Sequence, residues 1–113
     1  MEKFIFIFRG GDTHISTADS KAAMDIIQTW NDWMQRLAEK GILAGGDALQ
    51  VSGKHVNGSK KVVSDGPYAK GKEMVGGYLI VNAKDIDDAV EISKGCPIFN
   101  EDGSLEVRPI QKR

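Results

Sequence analysis

Asp65 directly precedes a Gly66-Pro67 bend, and a loop carboxylate at the mouth of a cavity can serve as acid, base or anchor for a small molecule. The same side chain can instead bond the backbone ahead of it and order the bend. His14 follows Gly10-Gly11-Asp12-Thr13 in the loop leaving the first apolar segment. An imidazole there titrates near neutral pH and suits proton transfer, although a lone loop histidine is also an ordinary exposed residue. Arg108 alternates with Leu105 and Val107, so its guanidinium leaves the opposite face. It can grip an anionic group with two parallel bonds or simply face water. Tyr78 follows Gly77 on a segment that is apolar on both faces, which suits its ring to a cavity wall.

Other kinds of chemistry lack their residues. His14, His55 and Cys96 share no short ligand spacing, and neither CxxC nor HxxxH occurs, so no metal site is expected. Neither GxxxxGK[ST] nor GxGxxG occurs, so no nucleotide cofactor is expected. Cys96 beside Pro97 reads as a packing residue, and His55 beside Asn57-Gly58 as a surface one. Lys54, Lys60, Lys61, Lys70 and Lys72 form a local basic cluster without interleaved aromatic residues. That pattern reads as protection of a sheet edge. With 15 Lys and Arg against 16 Asp and Glu, nucleic acid is not an expected partner.

The elements that must position these residues follow from periodicity. Phe4-Ile5-Phe6-Ile7-Phe8 is β-favouring and is stopped by Gly10-Gly11. Ala23, Ile27, Trp30, Met34 and Leu37 recur at helical steps, flanked by Ile26 and Trp33. A helix over 17–40 follows, capped by Ser16 or Thr17 and ended by Gly41, with Trp30 at the centre of its core stripe. Ile42 to Val51 reads as a short strand broken by Gly45-Gly46. Asn57-Gly58 signals a tight hairpin joining 54–56 to 60–63. Met74 to Val81 is a strand in which Gly76-Gly77 marks a bulge or a close backbone approach. A second helix starts at the Asp85 cap and ends by Gly95, and Leu105 to Arg108 forms the last, half-exposed strand.

This order is an α+β, ferredoxin-like split βαβ: an antiparallel sheet with two helices on one face and an added β-hairpin. A chain of 113 residues makes one domain, 1–113, whose core needs no staples. Two helices cover one sheet face, yet the first strand and the 74–81 strand are apolar on both. A second copy packed sheet against sheet is the economical cover, so a homodimer is expected. No apolar run approaches the ~18 residues of a membrane span, and the N-terminal apolar stretch is too short for a signal-peptide core. One cysteine, Cys96, makes an internal disulfide impossible, and a reducing cytoplasm is the expected location.

The stretch Ser64-Asp65-Gly66-Pro67-Tyr68-Ala69-Lys70-Gly71-Lys72-Glu73, followed by Gly76-Gly77-Tyr78, resembles the DGPF-type branch of the YCII-related proteins. Tyr68 stands where the family tetrapeptide ends in Phe. Gly95-Cys96-Pro97 and Val107-Arg108-Pro109 also resemble that family, and the likeness covers nearly the whole chain. It implies a dimeric α/β barrel in which two sheets enclose a cavity, and it implies no particular substrate. It also carries Tyr68, Lys72 and Glu73 into the candidate site, Glu73 as a second carboxylate or a partner of Arg108. A plainer reading makes Lys72 and Glu73 a solvated pair worth ~0–1 kcal/mol. Other YCII-type members carry a histidine in the first helix to which acid–base chemistry is ascribed. That place falls at about Trp30 here, and no histidine lies in this helix.

Two functions are consistent with these residues. One is a ligand-binding, sensory or regulatory dimer. The other is a cofactor-independent enzyme in which Asp65 and Glu73 move protons while Arg108 or His14 holds a small anionic substrate.

Overall fold

The computed structural model describes residues 1–10, 21–66 and 73–112. Strand β1 runs Glu2–Arg9, helix α1 Lys21–Glu39, and β2 Leu43–Ala48. Strands β3, Lys54–Asn57, and β4, Val62–Asp65, follow, and then β5, Val75–Ala83. Helix α2 spans Ile86–Ser93, a 3-10 turn covers Pro97–Glu101, and β6, Ser104–Pro109, closes the order. The main sheet has four strands in the order β2-β5-β1-β6, and each neighbouring pair is antiparallel. This is the expected ferredoxin-like arrangement, with β3 and β4 forming a separate two-stranded sheet.

Alternation along β1 divides the sheet into two unlike faces. Phe4, Phe6 and Phe8 are buried against the helices together with Leu79, Val81 and Ala83 of β5. Trp33 and Leu37 of α1 and Ala89 of α2 complete this core. Ile5 and Ile7 point the other way, in register with Ile80 and Tyr78 of β5 and with Arg108 and Glu106 of β6. No element of the described chain packs over that side, where these apolar residues are only half-buried.

Helix ends follow the local chemistry. Gly41, at φ 72°, donates to Ala38 O at 3.0 Å, while Ile42 N donates to Leu37 O at 2.9 Å. Together they form a Schellman stop that only a residue tolerant of left-handed backbone completes without strain. Asp85 caps α2 by accepting from Asp88 N at 2.8 Å, and Asp88 accepts from Lys84 N at 3.0 Å. The two aspartates cap reciprocally, with Asp88 reaching the N–H one residue before the N-cap and not the N-cap's own as in a capping box. The expected caps Ser16 and Thr17 lie outside the described residues.

Three expectations change in detail. The hairpin is present, but Asn57 pairs with Val62, so the turn is the four residues Gly58 to Lys61. Lys61 takes φ 56° and donates to Gly58 O at 3.0 Å, so Lys60 and Lys61 sit in the turn and not along an edge strand. Gly45-Gly46 does not end β2; it shifts the register between Leu43 and Gly45 while pairing with β5 continues. The α1 stripe is rotated. Trp33 is 4% exposed and Ile27 43%, because Trp33 packs on the α2 exit beside Gly95 whereas Ile27 overhangs open space.

Candidate functional site

That open space is a cavity of about 720 Å³ between α1 and the β2–β5 edge of the sheet. Ile27, Trp30 and Met34 of α1 form its roof, and Phe8 of β1 forms part of its floor. Leu49, Val51 and Met74 border its open end, while Glu101 of the 3-10 turn borders it from the side. Phe8 and Trp30 meet edge to face, 5.2 Å between ring centroids at 80°, and Trp30 meets Trp33 at 6.1 Å and 81°. This aromatic chain holds the Trp30 ring in place. Volume and lining fall within the ~300–1,000 Å³ range of small-molecule pockets.

Glycines at the β2–β5 seam keep the floor low. The β5 register skips Gly76, with Phe8 opposite Gly77 and Arg9 opposite Val75, so Gly76 is the bulge anticipated from the sequence. A Cβ on Gly77 would stand 3.0 Å from Asp47 O. One on Gly46, at φ 148°, would stand 2.4 Å from Tyr78 O and 2.5 Å from Leu79 Cδ2. The seam therefore pairs backbone to backbone without room for side chains.

The residues singled out from the sequence separate into distinct places. Tyr78 is among the residues lining the cavity, while its register with Ile7 and Asp47 sets its side chain in the row of the open sheet face. Arg108 is opposite Ile5 on that same face, 66% exposed, its Nε 3.9 Å from Glu106 Oε2. Glu106 also accepts from Arg9 at 2.6 Å. Asp65 ends β4 with 90% of its side chain exposed and pairs with Lys54 across the hairpin. It lies outside the cavity lining. Glu73 is exposed and directly precedes Met74 at the cavity's open end. His14, Tyr68 and Lys72 lie outside the described residues. The geometry thus brings Tyr78 and Arg108 to one sheet face and leaves Asp65 on the hairpin.

Cys96 is buried at 3% exposure, accepts from Ile98 N at 3.5 Å, and caps the 3-10 turn. Burial pushes its thiol up from 9.0 to about 12; the Ile98 N–H opposes this and the Glu101 carboxylate adds to it. It stays protonated at neutral pH and is no nucleophile. Among the described residues no group of three His, Cys, Asp or Glu is arranged to hold a metal ion, and no helix is long and apolar enough to cross a membrane.

From sequence, Trp30 could wall an aromatic pocket but reads first as core, and Ile27, Met34 and Glu101 are not marked as site residues. The exposure of Ile27, on the same helix stripe as the buried Trp33 and Leu37, is the trace the cavity leaves. Nothing in the sequence marks Glu101, which reaches the cavity only because Pro97–Glu101 folds as a 3-10 turn.

An antiparallel split-βαβ sheet with a helix-roofed apolar cavity defines a small α/β protein of the ferredoxin-like class. Within that class the chain belongs to the YCII-related family, whose domain model matches residues 14–112. No curated protein matches the chain.

Proposed function

We propose that this protein binds a small molecule in the cavity beneath α1 and works as a homodimer, with a sensory or regulatory role. The cavity carries the reading: about 720 Å³ roofed by Trp30 and Met34 in a domain of 113 residues. Apolar Ile27, Leu49 and Val51 stay exposed along its lining, a surface suited to a small-molecule ligand. The half-buried Ile5, Ile7, Ile80 and Tyr78 support the dimer, in which the uncovered face of one protomer meets that of its partner as a two-sheet barrel.

Thermal unfolding against a panel of small metabolites tests the ligand. A compound at a hundred times its dissociation constant adds ~2.7 kcal/mol. At ~4–8 °C per kcal/mol for small domains, that is a large shift. Recovery of the compound unchanged identifies a binding protein. No shift across a broad panel refutes the reading. A monomeric mass at micromolar concentration refutes the dimer.

The alternative is an acid–base enzyme using Asp65 and Glu73, favoured by the position of Glu73 next to Met74 at the cavity's open end. It predicts that Asp65→Asn and Glu73→Gln lose turnover of whatever substrate the panel identifies. Unchanged rates in both remove these roles.

A further inference from the structure

The cavity's walls and the state of its acids say what kind of molecule it takes. Phe8, Ile27, Trp30, Met34, Leu79 and Ile98 give it apolar surface. Asp47 and Glu101 also stand among its described lining residues, and neither offers a ligand a counter-ion. Asp47 is opposite Tyr78 in the β2–β5 register, so its carboxylate belongs to the row of the open sheet face. Glu101 is half-buried, already interacts within the chain, and has its Oε1 closed off from solvent. No Lys, Arg or His is among the described lining residues. A ligand of either charge would therefore shed hydration and find no opposite charge there in return. The Trp30 ring alone does not replace the water that a cation gives up. Asn31, next to Trp30 on α1, is an exposed and uncharged polar residue of the lining, and its amide can both donate and accept.

On the reading of this cavity as a ligand site, we infer that its ligand class is an uncharged molecule with a compact apolar body, carrying no polar group beyond a hydroxyl or carbonyl. The body packs on the Phe8–Trp30–Met34 wall, and the Asn31 amide meets the polar tip. This departs from the anionic substrate that Arg108 suggests from sequence: Arg108 is on the opposite face of the sheet, beside Glu106.

Three probes built on one bicyclic body separate the possibilities: 2-naphthylmethanol, 2-naphthoate and 2-naphthylmethylammonium, titrated calorimetrically into the full chain at low and at high salt. The inference predicts that the alcohol binds at least about ten-fold tighter than either ion, the margin that burying an uncompensated charge takes away. Its affinity should not fall as salt rises, since no ion pair holds it. Ile27→Lys, at a position 43% exposed, sets a cation at the cavity wall without disturbing the core. In that variant the alcohol should weaken and the naphthoate should overtake the ammonium compound by several-fold. Unchanged affinities of all three in Ile27→Lys would put the binding outside this cavity and overturn the inference. If the variant does not fold, the rank order and its salt dependence in the unaltered protein decide alone. Equal binding of all three, or tighter binding of either ion, overturns the uncharged class while leaving a ligand site in place. No binding by any probe removes the ligand site itself and the inference with it.

Discussion

The two faces of the central sheet are made by the same strands and end in opposite situations. On one face Phe4, Phe6 and Phe8 meet two helices, and the chain closes over them except beneath Trp30. On the other, Ile5, Ile7 and Ile80 form an apolar centre ringed by Arg9, Glu106 and Arg108, and no described element covers them. A rim of charge around an apolar centre is the pattern of a protein surface that meets another protein surface. An open apolar cleft beneath a helix, walled by an aromatic ring, is the pattern of a surface that meets a small molecule. On the proposed function, one sheet divides two kinds of recognition between its faces by the period-two alternation of a few strands.

The largest effects should separate the faces. Phe6→Ala is expected to cost ~3–5 kcal/mol by opening a void at a residue with no exposure, read as a drop in urea midpoint. Ile7→Lys, one residue along on the other face, should halve the mass in solution while the circular dichroism of the protomer is kept. If Ile7→Lys unfolded the protomer and Phe6→Ala did not, the division of faces would be wrong.

A smaller effect is expected at the seam. Gly46→Ala forces a Cβ into Tyr78 O and Leu79 at a backbone angle that disfavours side chains, at a cost of ~1–3 kcal/mol. The loss should fall on the cavity side, so ligand-induced thermal shifts shrink while dimer mass is unchanged.

Smallest is the contribution of Cys96. Its thiol is held above its ordinary value, so the unfolded chain gives up this proton first as pH rises. The contribution is complete below about 9 and is lost as pH climbs to about 12. Cys96→Ala should flatten that alkaline limb of the stability curve. In the native protein at pH 7 the thiol should resist iodoacetamide and react only on unfolding.

Much of this architecture was legible beforehand because it depends on local chemistry. The β1 alternation, the Asp85 cap, the Gly41 stop and the Gly76-Gly77 irregularity each rest on a residue type whose backbone or bonding preference is strong. The hairpin turn was not, because Asn57-Gly58 favours a two-residue turn while the pairing of Asn57 with Val62 requires four. The cavity was not legible either, since its volume depends on how far α1 stands from the sheet. Helical spacing placed Ile27 on the buried stripe; only packing shows that Trp33 takes up the contact with the core and leaves Ile27 over a void. Asp65 drew attention through its Gly-Pro neighbours, and the fold places it on the hairpin beside Lys54.

Isoleucine methyl groups sample both faces and allow one direct test. Ile27 and Ile98 border the cavity, and Ile5, Ile7 and Ile80 occupy the open face. In a methyl-labelled sample, titration with a compound that raises the thermal unfolding temperature should move the Ile27 and Ile98 resonances and leave the other three in place, while dilution should do the reverse. Ligand-induced shifts at Ile5, Ile7 and Ile80 without Ile27 would contradict the account and put the ligand between the sheets.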